Sequence, residues 1–587
     1  MGNKSIQEII SKQCKMNADK IAVIEYDRKI TYSELNEMSD SFAEGFVEAG
    51  IVSGMAVVVI ADRCLELIAI ALALLKCGAI YVPVDLNYPS HRIQKIVDDT
   101  GSNIIVNLSG HQLKEYNGRI LTLNHLSKTR NDITGKHQNF HVFHIAYIIY
   151  TSGTTGSPKG VMVSQEAILN TFDWMTKQFN INEDDVIAHK TSISFTDSIW
   201  EIFWPLLNGA KISILNSKDA KDSKKMYEWM DNQRISFTQF VPSMLKVFVE
   251  YIELKKIENP LKRLRWVFNG GEQVGINLVK RFYDYFKSAK YANIYGMTES
   301  AIYATYHIAE RELLEIWNSV PIGKPILNTK ILLLNEFDQI CNPYEKGEIC
   351  ICGISLADGY WKDDTLTKEK FIYYEEGKDK LYRSGDIGMS DENGCYWYFG
   401  RKDNQVNVYG NRVEIYEVEK YILEFEGITQ TAVIPYRDQY EETYLVCYLE
   451  NEQIEVEKLK AFLKNKLPDY MVPKVYQKVK SLPLTVNNKV DKKSLMGIFK
   501  NEKHSNLEAS DKIASMSIIR NVWKLIIGND DFGNNDEFFQ IGGDSLTLAR
   551  MQIELEKQGI CLSYDNLLEH KTVNQIVELI ARNVSSE

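Results

Sequence analysis

The segment IAYIIYTSGTTGSPKG, from Ile145 to Gly160, concentrates residues suited to holding phosphate. An apolar run enters a loop that carries Thr151, Ser152, Gly153, Thr154, Thr155 and Gly156, and Lys159 closes it. Small residues let backbone N–H groups converge on an anion, hydroxyls add donors, and one ammonium balances charge. The loop is not a Walker A sequence, because Pro158 replaces the glycine before the lysine and Gly160 replaces the following Ser or Thr. Four other stretches carry useful groups: NIYGMTES with Glu299, YRSGD with Asp386, NNKVDKK with Lys489, and IGGDSL with Ser545. By themselves, Lys489 reads as a solvated charge and Ser545 as a helix N-cap.

Such scattered groups need a scaffold to meet. VVVIAD, LELIAIALALLKCG and AIYVPVD, between Val57 and Asp85, read as strand, buried helix and strand, the logic of a parallel sheet. The alternation recurs around AKISIL and RLRWVFNGGE. From about residue 330, KILLLN, GEICICG, KLYRSGD and CYWYFGR are short strands between turn residues. A smaller α+β segment follows Arg401. NEKHSNLEASD (Asn501 to Asp511) is polar and aperiodic, a linker. Beyond it, IASMSIIRNVWKLIIG, LTLARMQIELEKQG and TVNQIVELIARNV have helical periodicity and imply a small bundle. No internal repeat is visible.

A chain of 587 residues exceeds one compact core, and 44% hydrophobic with 25% charged residues is an ordinary globular balance. The net charge of −11 argues against nucleic acid or an anionic membrane as partner. The first residues lack a secretory pattern, and LIAIALALL is too short to span a bilayer. Nine scattered cysteines argue against a disulfide framework. Cys350 and Cys352 alternate with Ile349 and Ile351 as one strand face, with a metal site as the weaker reading. The expectation is a cytoplasmic, multi-domain enzyme.

YTSGTTGSPKG closely resembles the phosphate-binding signature of the adenylate-forming superfamily, and further motifs agree in order. ITYSEL and LKCGAIYVPVD are similar to the first adenylation-domain motifs, and GRKDNQVNVYGNRVE to the hinge motif. The resemblance identifies residues 1–500 as a non-ribosomal peptide synthetase adenylation domain, with ATP and Mg²⁺ as cofactors. It implies catalytic roles for Thr151, Ser152, Lys159, Glu299 and Lys489, with Glu299 also the Mg²⁺ ligand. It implies nucleotide contacts from Gly153, Thr154, Thr155, Gly156, Gly271, Glu272, Tyr295, Gly296, Thr298, Asp386, Tyr398 and Arg401, and a pivot at Asp403. IGGDSL is similar to the 4'-phosphopantetheine attachment motif of peptidyl carrier proteins, with Ile541 where Leu is usual, so Ser545 would carry the arm.

The implied fold is an α/β adenylate-forming core with sheets and a small barrel (1–401), a small α+β C-terminal lid (402–500), a linker (501–511) and an all-α four-helix carrier (512–587). The implied reaction makes an acyl-adenylate, swings the lid, and passes the acyl group to the thiol of the arm. Implied partners are a phosphopantetheinyl transferase and a downstream condensation or acyl-transfer protein.

SFTDSIWEIFWP departs from the family at the substrate pocket. Members that use α-amino acids carry an Asp directly after the Phe; here Thr196 follows Phe195, and Asp197 comes one place later. The shifted acid resembles domains that activate β-amino acids, whose amine lies one carbon farther from the carboxylate. The pocket would be lined by Phe195, Thr196, Asp197, Trp200, Gln239, Val267, Asn269, Gly270, Ile294, Ile302 and Tyr303. A buried Asp197 calls for a cationic partner. Alternatives are an α-amino acid, an acid without an amine, release on free coenzyme A, or a catalytically silent docking module. Asn407 and Tyr409 replace the usual Lys and Arg of the hinge motif, and neither receives a role.

Overall fold

The structure is a computed structural model. It describes residues 5–584 except 111–112, 114–115, 127–143, 154–156, 316–318, 375–378, 403–404, 438–441, 452, 480–481, 484–494, 496–513, 529 and 531. The proposed linker, Lys489, Asp403, Thr154, Thr155 and Gly156 lie outside the described residues.

Two large sheets share one core. A nine-stranded sheet runs Lys324–Pro325, Thr305–Ala309, Lys290–Tyr295, Trp266–Asn269, Phe237–Phe240, Val186–His189, Lys211–Ile214, Ile21–Glu25 and Arg28–Thr31 in spatial order. A seven-stranded sheet runs Gly359–Tyr360, Lys159–Ser164, Ile145–Thr151, Ile80–Asp85, Ala56–Ala61, Ile104–Asn107 and Arg119–Leu121. Both are parallel in their centres and antiparallel at one or both edges. The apolar run LELIAIALALLK is the helix Leu65–Lys76, buried from Leu67 through Leu75 in the cluster common to both sheets. A helix apolar all round has no face for water, so it sits inside.

The ITYSEL motif has a local job: Thr31 caps the helix Tyr32–Ala49, and Glu34 returns the bond to the Thr31 N–H. The strand-rich region closes into a five-stranded antiparallel sheet that includes Lys346–Gly353, Asp379–Ser390 and Tyr396–Arg401. Cys350 and Cys352 are buried there as free thiols, and no cluster of metal-ligating side chains exists among the described residues.

The smaller unit carries a hairpin, Gln405–Val408 with Asn411–Glu414, and a three-stranded sheet with its own core. Among the described residues the carrier has four helices: Ala514–Ile527, Ser545–Lys557, Tyr564–Glu569 and Val573–Val584. Tyr564–Glu569 is only one and a half turns long, too short for periodicity to announce it. No helix among the described residues is long and apolar enough to cross a membrane.

Candidate functional site

Thr151 and Lys159 end the two strands flanking the glycine-rich loop and pair in register. A Cβ at Gly153 would lie 1.9 Å from the Ser157 carbonyl oxygen, so only glycine lets the loop fold this tightly. Glu299 follows the strand Lys290–Tyr295, in the turn Thr298–Ser300 that also holds Thr298, and is fully buried. Lys159 Nζ lies 3.5 Å from its carboxylate, and Tyr360 donates its hydroxyl at 2.8 Å. Arg412, from the lid hairpin, reaches both carboxylate oxygens at 2.9 and 3.1 Å. Burial alone would raise Glu299, yet Arg412 and Lys159 outweigh it and hold its pKa at about 2. Burial lowers the Lys159 ammonium to about 8 against the pull of Glu299.

A hard, ionised carboxylate suits Mg²⁺, and the buried Thr151 Oγ1 has no hydrogen-bond partner among the described residues. Carboxylate, orphaned hydroxyl, ammonium and tight loop together fit a magnesium nucleotide.

Across the cleft, Tyr295 donates its hydroxyl to Asp386 at 2.6 Å, and Arg401 Nη1 donates to the other Asp386 oxygen at 2.6 Å. Tyr398 enters the same group through the strand that pairs with Gly388. Glu272, in the loop after the strand Trp266–Asn269 that also holds Gly270 and Gly271, accepts from the Ser243 N–H at 3.1 Å. Burial raises its pKa. Glu272 and Tyr295 sit at the carboxyl ends of the neighbouring parallel strands Trp266–Asn269 and Lys290–Tyr295, where open α/β sheets bind ligands, and the antiparallel strands bring Asp386 and Arg401 to them.

In the expected substrate pocket, Trp200 donates its indole N–H to Gln239 Oε1 at 2.9 Å, and the Tyr303 hydroxyl lies 2.8 Å from the same oxygen. That hydroxyl is also 3.1 Å from Asp197 Oδ1. Asp197 is not in a strand or extended loop: Thr196 is the N-cap position and Asp197 opens the helix Asp197–Leu207. A one-residue shift there turns a side chain by about 100° instead of flipping it to the opposite face. Among the described residues no ion pair neutralises it: the Tyr303 hydroxyl donates to it at 3.1 Å, Gln239 and Tyr303 favour its ionised form, and Lys190 acts only at longer range. Burial therefore prevails and pushes the carboxyl up to about 6. Burial lowers Lys190 to about 8, and its ammonium rests over the Phe240 ring. Ile294, Ile302 and Tyr303 are buried in the cluster that holds Trp200, whereas Val267 lies in a separate one with Phe240 and Phe248. The Asn269 amide donates to the Phe240 carbonyl at 2.9 Å.

The lid hairpin points into this cleft. The Ser152 hydroxyl donates to the Arg412 carbonyl at 2.8 Å. Gly410 at the tip has φ +75°, and a Cβ there would lie 2.3 Å from Val241. Farther out, Tyr409 donates its hydroxyl to Asp544 at 3.0 Å, a contact that gives this unassigned residue a place beside the carrier. Asp544, rather than Ser545, is the N-cap of Ser545–Lys557: its Oδ1 accepts from the Thr547 N–H at 2.8 Å. Ser545 is the first helical residue and half-buried, so its hydroxyl is not consumed in capping. On the same helix, Arg550 is 2% exposed, 2.5 Å from Glu442 of the lid and 4.0 Å from Glu250 of the core.

Arg412, Tyr360, Lys190 and Arg550 were not among the expected site residues. YGNRVE lay in plain view, but no spacing rule joins Arg412 to a carboxylate 113 positions away.

The AMP-binding enzyme model matches residues 10–361, the AMP-binding enzyme C-terminal domain 417–489, and the phosphopantetheine attachment site 517–580. Tyrocidine synthase 1 of Brevibacillus parabrevis is 32% identical over 582 residues, covering 98% of this chain and 52% of that protein. Zwittermicin A synthase ZmaJ of Bacillus cereus is 34% identical over 513 residues, 86% of this chain and 97% of that protein. A solved NRPS protein containing adenylation and PCP domains, bound to a vinylsulfonamide inhibitor, superposes with a TM-score of 0.84 at 23% identity, over 98% of this chain and 96% of that one. The chain belongs to the AMP-binding enzyme family, as a non-ribosomal peptide synthetase adenylation unit fused to a peptidyl carrier. It spans about half the length of tyrocidine synthase 1 and gramicidin S synthase 1.

Proposed function

We propose that this chain activates a β-amino acid with ATP and loads it as a thioester onto an arm attached at Ser545. The carrying observation is Asp197: a part-buried carboxylate one position beyond the family's usual acid, with a hydroxyl rather than a cation against it among the described residues. A substrate ammonium supplies the missing countercharge, and one extra carbon between amine and carboxylate suits the displaced anchor. Trp200, Gln239 and Tyr303 form a bonded wall that limits the pocket and fixes that anchor. We assign Asp386 to the ribose hydroxyls, Tyr295 to the base, the loop with Lys159 to phosphate oxygens, and Glu299 to Mg²⁺. When bound, the metal and the nucleotide supply charge neutralisation and a leaving group. Lys489 stabilises the charge that develops as the substrate carboxylate attacks.

The working division is core 1–401, lid 402–500 pivoting at Asp403, linker 501–511 and carrier 512–587. A phosphopantetheinyl transferase supplies the arm, and a condensation or acyl-transfer protein accepts the product.

Pyrophosphate exchange over a panel of β-amino, α-amino and amine-free acids tests the substrate. Exchange confined to α-amino acids, with none for β-alanine-like acids, overturns the preferred reading. Ser545→Ala should retain exchange and abolish covalent loading; a loaded Ser545→Ala chain overturns the carrier assignment.

A further inference from the structure

Lys190 is a buried amine to which the activation chemistry gives no task. It follows the strand Val186–His189 and is 7% exposed. Its backbone is pinned from two sides: the N–H donates to Glu201 at 3.0 Å, and Arg63 donates to the carbonyl. The side chain is held differently. Among the described residues its Nζ forms no hydrogen bond and no close ion pair, and it rests over the Phe240 ring, 4.2 Å from the centroid. Burial, the largest influence, draws the ammonium down to about 8. Glu201 and Asp197, from the helix Asp197–Leu207, pull it up, and Arg63 pushes it further down. Near neutral pH a share of this amine is therefore unprotonated and able to accept a proton.

Phe240 shows which side the amine serves. Successive residues of a strand face opposite ways, so Gln239 turns to Trp200 and the substrate wall while Phe240 turns to the other face of the sheet. On that face Phe240 belongs to the same apolar cluster as Trp523 and Leu548 of the carrier. The next residue, Val241, packs against Gly410 at the hairpin tip, and Tyr409 beside it donates to Asp544, the neighbour of Ser545. A line of contacts thus runs along the carrier side from the attachment serine to Lys190. It ends at the carboxyl end of the strand, where the Asn269 amide donates to the Phe240 carbonyl.

We propose that Lys190 takes the proton from the thiol of the arm on Ser545 in the second half-reaction. The unprotonated Nζ accepts the S–H proton, because the thiolate and not the thiol is the nucleophile. The thiolate attacks the carbonyl carbon of the acyl-adenylate, a C–S bond forms, and the C–O bond to AMP breaks with its electron pair leaving on the phosphate oxygen. Lys190 is left as the ammonium and returns its proton to water once the arm withdraws. The inference rests on the reading that Ser545 carries the arm.

The test measures single-turnover loading of the full holo chain in H₂O and D₂O, with pyrophosphate exchange in parallel to report the first half-reaction. Lys190→Met keeps a long unbranched chain on the Phe240 ring and removes the base, so loading should fall about 100-fold relative to exchange, the low end for general base catalysis. Lys190→Arg keeps the cation but holds its proton at any physiological pH, and its loading should fall as far. The wild type should show a normal solvent isotope effect on loading, and both variants should lose it. Loading within about threefold of wild type in either variant, or wild-type loading without an isotope effect, overturns the proposal. The wild-type isotope effect needs no variant, so it decides the matter if both substitutions misfold. Ser545→Ala separates the two layers: if it still loads, the carrier reading itself is wrong. If it stays unloaded while Lys190→Met loads like the wild type, only the role of Lys190 is wrong.

Discussion

Replacing Arg550 with Gln should uncouple the two half-reactions. Arg550 and Glu442 are 2% and 3% exposed on the side-chain scale, 2.5 Å apart, with Glu250 at 4.0 Å. The three residues belong to the carrier, the lid and the core, so the cluster exists only when all three units meet. On an undocked carrier Arg550 faces water, and removing its charge costs little there. In the docked arrangement the substitution removes the buried guanidinium from Glu442, while Glu250 keeps Arg281 at 3.8 Å. Breaking one member of a buried pair typically costs 3–5 kcal/mol, and the glutamine stem keeps some packing, so about 3 kcal/mol applies here. At about 1.4 kcal/mol per tenfold, the docked population should fall roughly 100-fold. Single-turnover loading of the holo carrier in a quench-flow instrument reads that population, while pyrophosphate exchange, which does not need the carrier, should hold steady. Glu442→Gln should behave alike, and the double variant should lose less than the sum, a coupling of about 0.5–3 kcal/mol. Loading of Arg550→Gln within about threefold of wild type, under 1 kcal/mol by the same conversion, would refute the reasoning.

Two further outcomes follow from local geometry. Burial lifts Asp197 from 3.8 to about 6, so the folded chain holds that proton more tightly than the unfolded one, and stability drawn from it is lost as pH rises between those values. Asp197→Asn should therefore gain thermal stability over the wild type at pH 8 but not at pH 4, and should lose exchange with amine-bearing substrates; a pH-independent melting difference would contradict this. Gly410→Ala combines a positive φ with a Cβ 2.3 Å from Val241, costing about 1–3 kcal/mol in this lid orientation alone. Covalent loading should slow while pyrophosphate exchange persists, and equal losses in both would show that the hairpin tip serves both steps.

The candidate site was legible where its residues lie in contiguous motifs. The glycine-rich loop, Glu299, Asp386 and the carrier serine each announce themselves through a short, ordered sequence, and strand–helix alternation supplied the sheets. What stayed hidden depends on contacts between distant segments or on which of two adjacent residues takes a job. Asp544 and Ser545 are both good caps, and only the backbone at the helix start decides for Asp544. Asp197 could not be oriented without knowing that the helix begins at that residue. Arg412 on Glu299 and Arg550 on Glu442 depend on how folded units are arranged, which no periodicity encodes.

That choice of cap has a biosynthetic corollary. Since Asp544 caps the helix, the neighbouring hydroxyl is not needed for the cap, and esterifying it with a phosphate leaves the capping bonds in place. Unmodified and modified carriers should therefore share one shape and compete equally for the same berth on the lid. Supply of the arm then acts as a census: it sets how many chains in a population are productive, and leaves the speed of each productive chain unchanged.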